Sequence, residues 1–167
     1  METTRDCLIG DTMDIFYAWG VPRKKMTKTA KKEAVKRIRD ELKELQAAID
    51  ADDPVEELDA ICDLIVISAD YAYRNKYPLE EGLAMVNFSN ASKILVGDEL
   101  DNTEDDFANL EAKGKEGLHV VRVNYEGFED VIPTGCIMDR TGKVQKPLKF
   151  AEPMLEQLFV TPETEAE

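Results

Sequence analysis

Histidine is nearly missing from this chain: His119 is the only one among 167 residues. That leaves no cluster of histidines for a metal site, and a lone His119 in a stretch resembling a strand reads as structural. The cysteines are three, Cys7, Cys62 and Cys136, far apart and without a Cys-x-x-Cys spacing, so neither a zinc site nor a disulfide framework is expected. Such cysteine usage points to a reducing cytoplasm. There is no Gly-x-x-x-x-Gly-Lys phosphate loop and no serine nucleophile elbow. Long hydrophobic runs are lacking too. The longest strongly apolar stretch is residues 64–67, far short of the roughly 20 residues a membrane helix needs. Residues 1–14 lack the basic segment and apolar run of a targeting peptide. No membrane association is expected.

Positive charge is also scarce, with 21 lysines and arginines against 35 acidic residues and a formal charge of -14. A surface of that sign repels duplexes and anionic membranes, so nucleic acid is not an expected partner. The bases that do cluster, from Arg23 to Arg39, read mainly as a solvated helix face, a few of them able to meet phosphate.

What remains is an ordinary globular mix, 43% hydrophobic and 34% charged, in a length that suits one domain over residues 1–167. Apolar residues at helical spacing place a first helix from Cys7 to Trp19, closed by Gly20-Val21-Pro22. A second covers residues 29–51, with Ile38, Leu42, Leu45 and Ile49 along one stripe. Asp52-Asp53-Pro54 then caps a third, which carries Glu56 and Glu57 in its first turn, where the helix dipole favours them, and runs to about Tyr73. A fourth starts after Pro78 and runs from residue 79 to about 95, ended by Gly97. Residues 98–111 hold seven acids and no base and read as an exposed connector with a short helix at 107–112. Val- and Ile-rich stretches at 118–125 and 131–138, with a turn signal at Asp139-Arg140-Thr141-Gly142, predict a small β-hairpin. Met154, Leu155, Leu158 and Phe159 suit a short docked helix. The expected class is mainly α, a four- to five-helix bundle with a small β-hairpin insertion towards the C-terminus, the insertion spanning about 96–138.

The chemistry lies in carboxylates. On a regular second helix, at about 100° per residue, Glu41 projects between Ala34 and Ala48, inside the apolar arc, and Glu44 borders it. On the third, Glu56, Asp59, Asp63 and Asp70 fall within about 60° of one another, while apolar residues occupy the other faces of a helix expected to be largely buried. Clustered carboxylates without cationic partners repel one another at a cost of several kcal/mol unless a cation neutralises them. Ligation by carboxylate alone suits Mg²⁺, with Mn²⁺ a substitute, and such ions take phosphate oxygens as further ligands. The alternative is that the stripe faces water and pairs with the bases of the second helix.

Three segments carry a resemblance: Arg37-Ile-Arg-Asp-Glu41-Leu-Lys-Glu44-Leu, Asp59-Ala-Ile-Cys-Asp63-Leu, and Ser89-Asn90-Ala-Ser92-Lys93. Their order resembles the MazG-like and phosphoribosyl-ATP pyrophosphohydrolase-like family of all-α NTP pyrophosphatases. Gly142-Lys143-Val-Gln-Lys146-Pro147, followed by Phe150 and Pro153, is similar to the lysine-containing tail of that family's phage and bacterial branch. The likeness covers about residues 7–95 and 139–159. It implies a helical bundle that forms a homodimer or homotetramer and binds Mg²⁺ through Glu41, Glu44 and Asp63. Where the family carries a further acid, three residues before the last, this chain has Ala60, and Asp59 is the nearest substitute. It also implies that Asn90 and Lys93 contact phosphates or sugar, that Lys146 reaches the phosphates as a point charge, and that Trp19 or Phe16 stacks on the base.

The activity so implied is hydrolysis of a ribo- or deoxyribonucleoside triphosphate to monophosphate and pyrophosphate, with Glu41 or Glu44 orienting and deprotonating the attacking water. The same motifs allow phosphoribosyl-ATP as substrate. From another class, the chain reads as a non-catalytic helical interaction module.

Overall fold

The structure, a computed structural model, describes residues 8–123 and 132–159. It is mainly α, as expected, with five α-helices and a three-stranded antiparallel sheet among the described residues. The chain divides into two compact units, Met1–Glu81 and Gly82–Glu167. Cys7, residues 124, 125 and 131 of the expected hairpin, and the tail from 160 onwards lie outside the described residues.

The first unit holds α1 (Leu8–Ala18), α2 (Lys28–Ala51) and α3 (Pro54–Asn75). Gly20, at φ 69°, lets the chain leave α1 while Val21 N donates to Phe16 O at 2.9 Å. Thr27 caps α2, its hydroxyl accepting from Ala30 N at 3.2 Å. At the far end Asp52 adopts the left-handed conformation, φ 54°, and Asp53 begins the next helix by accepting from Val55 N at 3.1 Å and Glu56 N at 3.2 Å. With Pro54 in the first turn, two residues suffice to reverse the chain, so α2 and α3 pack along their lengths. Their contact is lined by small side chains, Ala34 and Ala48 on α2 and Ala60 on α3, all buried. α1 packs on α3 through Phe16, which joins Ala69 and Tyr73 in a buried cluster.

The apolar stripes are wider than this unit can cover. Leu42 and Ile49 of α2 are half exposed, and on α3 Val55, Leu58, Ile61, Ile65 and Val66 are exposed. The expectation of a largely buried third helix is therefore not met within the single chain. Helix α3 meets α2 and, through Phe16, α1, and three helices leave outer faces open.

The second unit contains most of α4 (Leu79–Ala91), then β1 (Leu95–Val96), a 3₁₀ turn at Gly97–Leu100, α5 (Glu104–Ala112), β2 (His119–Val123), β3 (Thr134–Met138) and a 3₁₀ turn at Leu155–Phe159. The sheet order is β1-β3-β2, with Leu95 opposite Gly135 and Val120 opposite Ile137. Helix α4 stops four residues short of the predicted end. Lys93 N and Ile94 N bond back three residues, to Asn90 O and Ala91 O, which tightens the last turn and frees Leu95 to pair as an edge strand. The acidic connector is also more ordered than predicted. Three acids open α5 where its dipole favours them, and Leu100 and Leu110 are buried with Leu95 and Ile137, packed by Phe107, Leu118 and Val120. Gly135 is required here, because a Cβ would collide with the Val121 carbonyl oxygen and stand 2.8 Å from Leu100 Cδ2.

Candidate functional site

The three positions Ala34, Glu41 and Ala48 stand seven apart on α2, one face of the helix. The alanines are buried, so Glu41 is carried into the α2–α3 contact by its place between them. It is half-buried, and its Oε2 is a buried side-chain oxygen with no hydrogen-bond partner. Burial lifts its carboxyl above the ordinary glutamate range, and the negative charges of Glu44, Asp63, Asp59 and Asp40 lift it further. Glu44 sits one turn along α2, and Asp59 and Asp63 flank the buried Ala60 on α3. Glu44, Asp59 and Asp63 are thus within electrostatic reach of Glu41, with Glu41 innermost and the other three exposed. Glu44 also lines a cleft of about 310 Å³ with Asp53 and Glu56.

All four donors are hard oxygens and one of them is orphaned, a donor set that fits a hard divalent cation. The carboxylates are nevertheless apart: among the described residues no three His, Cys, Asp or Glu side chains converge closely enough to hold a metal ion. Like charges at this density keep their distance. Asp70, a member of the same predicted stripe, leaves the cluster. It is 6% exposed, and its carboxylate accepts from Arg74 Nε at 2.8 Å and Arg37 at 3.4 Å.

In the second unit, two sequence segments some 60 residues apart are laced together. Ser89 Oγ donates to Ala151 O at 2.7 Å, and Ala151 N donates to Ser92 Oγ at 2.9 Å. This brings Lys93 and Lys146 round the Phe150 ring, with Lys146 Nζ 4.2 Å and Lys93 Nζ 5.6 Å from its centroid. Lys93 donates to Asn90 Oδ1 at 2.7 Å and Lys146 to Glu152 at 2.8 Å.

Of the two aromatics expected to stack on a base, Trp19 is exposed, while Phe16 is 3% exposed and packs edge-to-face against Trp19 and tilted against Tyr73. Only Trp19 presents its ring to solvent. A cavity of about 430 Å³ in the first unit, lined by Tyr17, Arg23, Tyr73 and Lys76 among others, contains none of the predicted residues.

Lys113 and Lys115 carry no role in the sequence reading, and Lys143 enters it only through the resemblance of its segment. They line one pocket with Lys93 and Lys146, Lys113 and Lys115 just beyond the acidic connector and Lys143 just after a turn. Their one signal is that bases are rare in this half of the chain. No protein-family model matches the chain, and no curated protein or solved structure matches it. Among the described residues no helix is long and apolar enough to cross a membrane.

Proposed function

We propose that this chain is a Mg²⁺-dependent nucleoside triphosphate pyrophosphohydrolase of the MazG-like kind. The observation that carries the reading is Glu41: a half-buried carboxylate with an orphaned oxygen, crowded by Glu44, Asp59 and Asp63, on helices whose acidic motifs resemble that family's, with Asp59 one residue before the position of its fourth acid. Residues Glu41, Glu44, Asp59 and Asp63 would hold the ion, which when bound supplies neutralisation of the phosphate charges.

Burial and the neighbouring carboxylates lift the pKa of Glu41, and on that ground we assign it the role of base. In this reading it takes a proton from a water as that oxygen bonds to the α-phosphorus. The bond from the α-phosphorus to the bridging oxygen breaks, and pyrophosphate leaves with the electron pair. Glu44, exposed to the cleft, orients the water. Asn90, Lys93 and Lys146 serve as phosphate or sugar contacts on the strength of the resemblance and of their clustering in the second unit.

The proposal includes a homodimer or homotetramer, supported by the exposed apolar faces of α2 and α3. A reducing cytoplasm suits Cys62 and Cys136, both unpaired.

Pyrophosphate release from ribo- and deoxynucleoside triphosphates and from phosphoribosyl-ATP, with Mg²⁺, tests the reading. The native chain should turn over at least one of them, and Glu44→Gln and Asp63→Asn should each lower the rate by about 10²-fold or more. A preference for phosphoribosyl-ATP would reassign the substrate within the family. Undiminished activity in both variants, or a folded native chain inert to every substrate, would sink the proposal, the second outcome favouring an interaction module.

A further inference from the structure

The second unit is acidic, yet five of the eight lysines and arginines in residues 82–167 line one pocket of about 230 Å³: Lys93, Lys113, Lys115, Lys143 and Lys146. Its remaining lining is Leu110, Val144 and the buried Gln145, with no carboxylate. The ammonium groups of Lys93 and Lys146 are engaged by Asn90 and Glu152, which leaves the like charges of Lys113, Lys115 and Lys143 round one concavity, an arrangement that an anion relieves.

The convergence is built by the backbone. Lys113–Lys115 follow α5 on a tight turn in which Gly114 has φ 76° and Lys115 N returns to Leu110 O at 3.1 Å. Lys143 and Lys146 follow a turn organised by Asp139. Its Oδ1 accepts from Thr141 N at 2.9 Å, Thr141 Oγ1 at 2.6 Å and Lys143 N at 3.2 Å, and its Oδ2 from Gln145 Nε2 at 2.8 Å. The two turns are pressed together, because a Cβ on Gly117 would stand 2.7 Å from Arg140 Cβ, and Arg140 N donates to Glu116 O at 3.3 Å.

The nearby acids are already engaged. Glu116 pairs with Arg140 and Glu152 with Lys146, and Asp139 is spent on its turn. Among the described residues no salt bridge holds Lys113, Lys115 or Lys143. The Asp139 carboxyl, whose pKa its hydrogen bonds from Thr141 lower, lies close enough to Lys115 of the three for that charge to lower it further. The pocket is smaller than the roughly 300–1,000 Å³ of sites that enclose whole drug-sized ligands, and ammonium groups on flexible stems suit phosphate as point charges rather than planar carboxylate forks.

We propose that this pocket binds a condensed phosphate chain, two or more linked phosphate groups, and that the insertion exists in part to supply Lys113 and Lys115 to it. The proposal concerns residues 82–167 alone and holds whether or not the α2–α3 carboxylates are catalytic.

Inorganic tripolyphosphate is the probe, titrated calorimetrically into the full chain at low salt with EDTA present, so that neither a nucleoside nor a metal-dependent reaction enters. Tripolyphosphate should bind about tenfold or more tightly than orthophosphate, and added salt should weaken it. The double variant Lys113→Gln/Lys115→Gln should lose about tenfold in affinity, two charge-assisted contacts being worth at least that. Lys143→Gln, on the opposite turn, should weaken binding independently. The control Lys32→Gln/Lys36→Gln, on the exposed face of α2, changes net charge equally and should bind as the native chain does. Failure of tripolyphosphate to bind the native chain, or equal losses in the control and pocket variants, would overturn the proposal, whatever the hydrolysis assay shows.

Discussion

Glu41 concentrates the tension of this protein in one side chain. Helical periodicity places it between two alanines that must be buried, and packing then removes one of its oxygens from solvent without supplying a donor. In the folded chain its pKa lies above the unfolded value, chiefly through burial and then through neighbouring carboxylates. Below the unfolded value the group is neutral in both states and its ionisation costs nothing. As pH rises through the window between the two values, ionisation lowers stability, and the penalty is complete above the folded-state value. Replacing Glu41 by Gln should therefore raise the Tm of the chain in EDTA at pH 7.5, and the gain should shrink as pH falls towards 4. An unchanged or lower Tm at pH 7.5 would mean that the carboxylate is not strained. The side-chain identities and their spacing were legible in the sequence. The orphaned oxygen was not, because it depends on how closely α3 approaches.

At the scale of elements, the α2–α3 hairpin is the frame, and the cap that opens α3 was readable because it is local. Asp53 and Pro54 sit where a helix start needs them, and Glu56 and Glu57 follow in the first turn. The clamp at its other end was not readable. Asp70 belongs to the acidic stripe by spacing, yet it is buried between Arg74 of its own helix and Arg37 of α2. Asp70→Ala should cost about 2 kcal/mol in chemical denaturation, the loss of charged hydrogen bonds discounted for the half-exposed arginines. Measured loss below about 0.5 kcal/mol would show that the clamp's desolvation cost cancels its gain. Helix α4 and β1 give the converse lesson. The apolar residues around Leu95 fit a helix continuation as well as a strand, and only pairing with Gly135 decided between them.

For the whole molecule, the conspicuous quantity is apolar surface that one chain leaves open. Val35, Leu42 and Ile49 recur every seven residues on α2 and are 43–51% exposed, the spacing by which helices of separate chains interlock. If this face is the proposed oligomer contact, light scattering should return two or four times the 18.8 kDa chain mass, and Leu42→Asp should shift the population towards monomer. A native chain that is monomeric at micromolar concentration would reject that assembly. The sequence by itself determined the helical class, the cap of α3, the apolar stripe of α2 and the acidic motifs, since all of these follow from periodicities and propensities acting over a few residues. Tertiary structure alone decided which carboxylate is innermost, which is neutralised by arginine, and that lysines from residues 93 to 146 share one pocket. Those outcomes depend on contacts between segments distant in sequence, and electrostatic energy is set by separation in space.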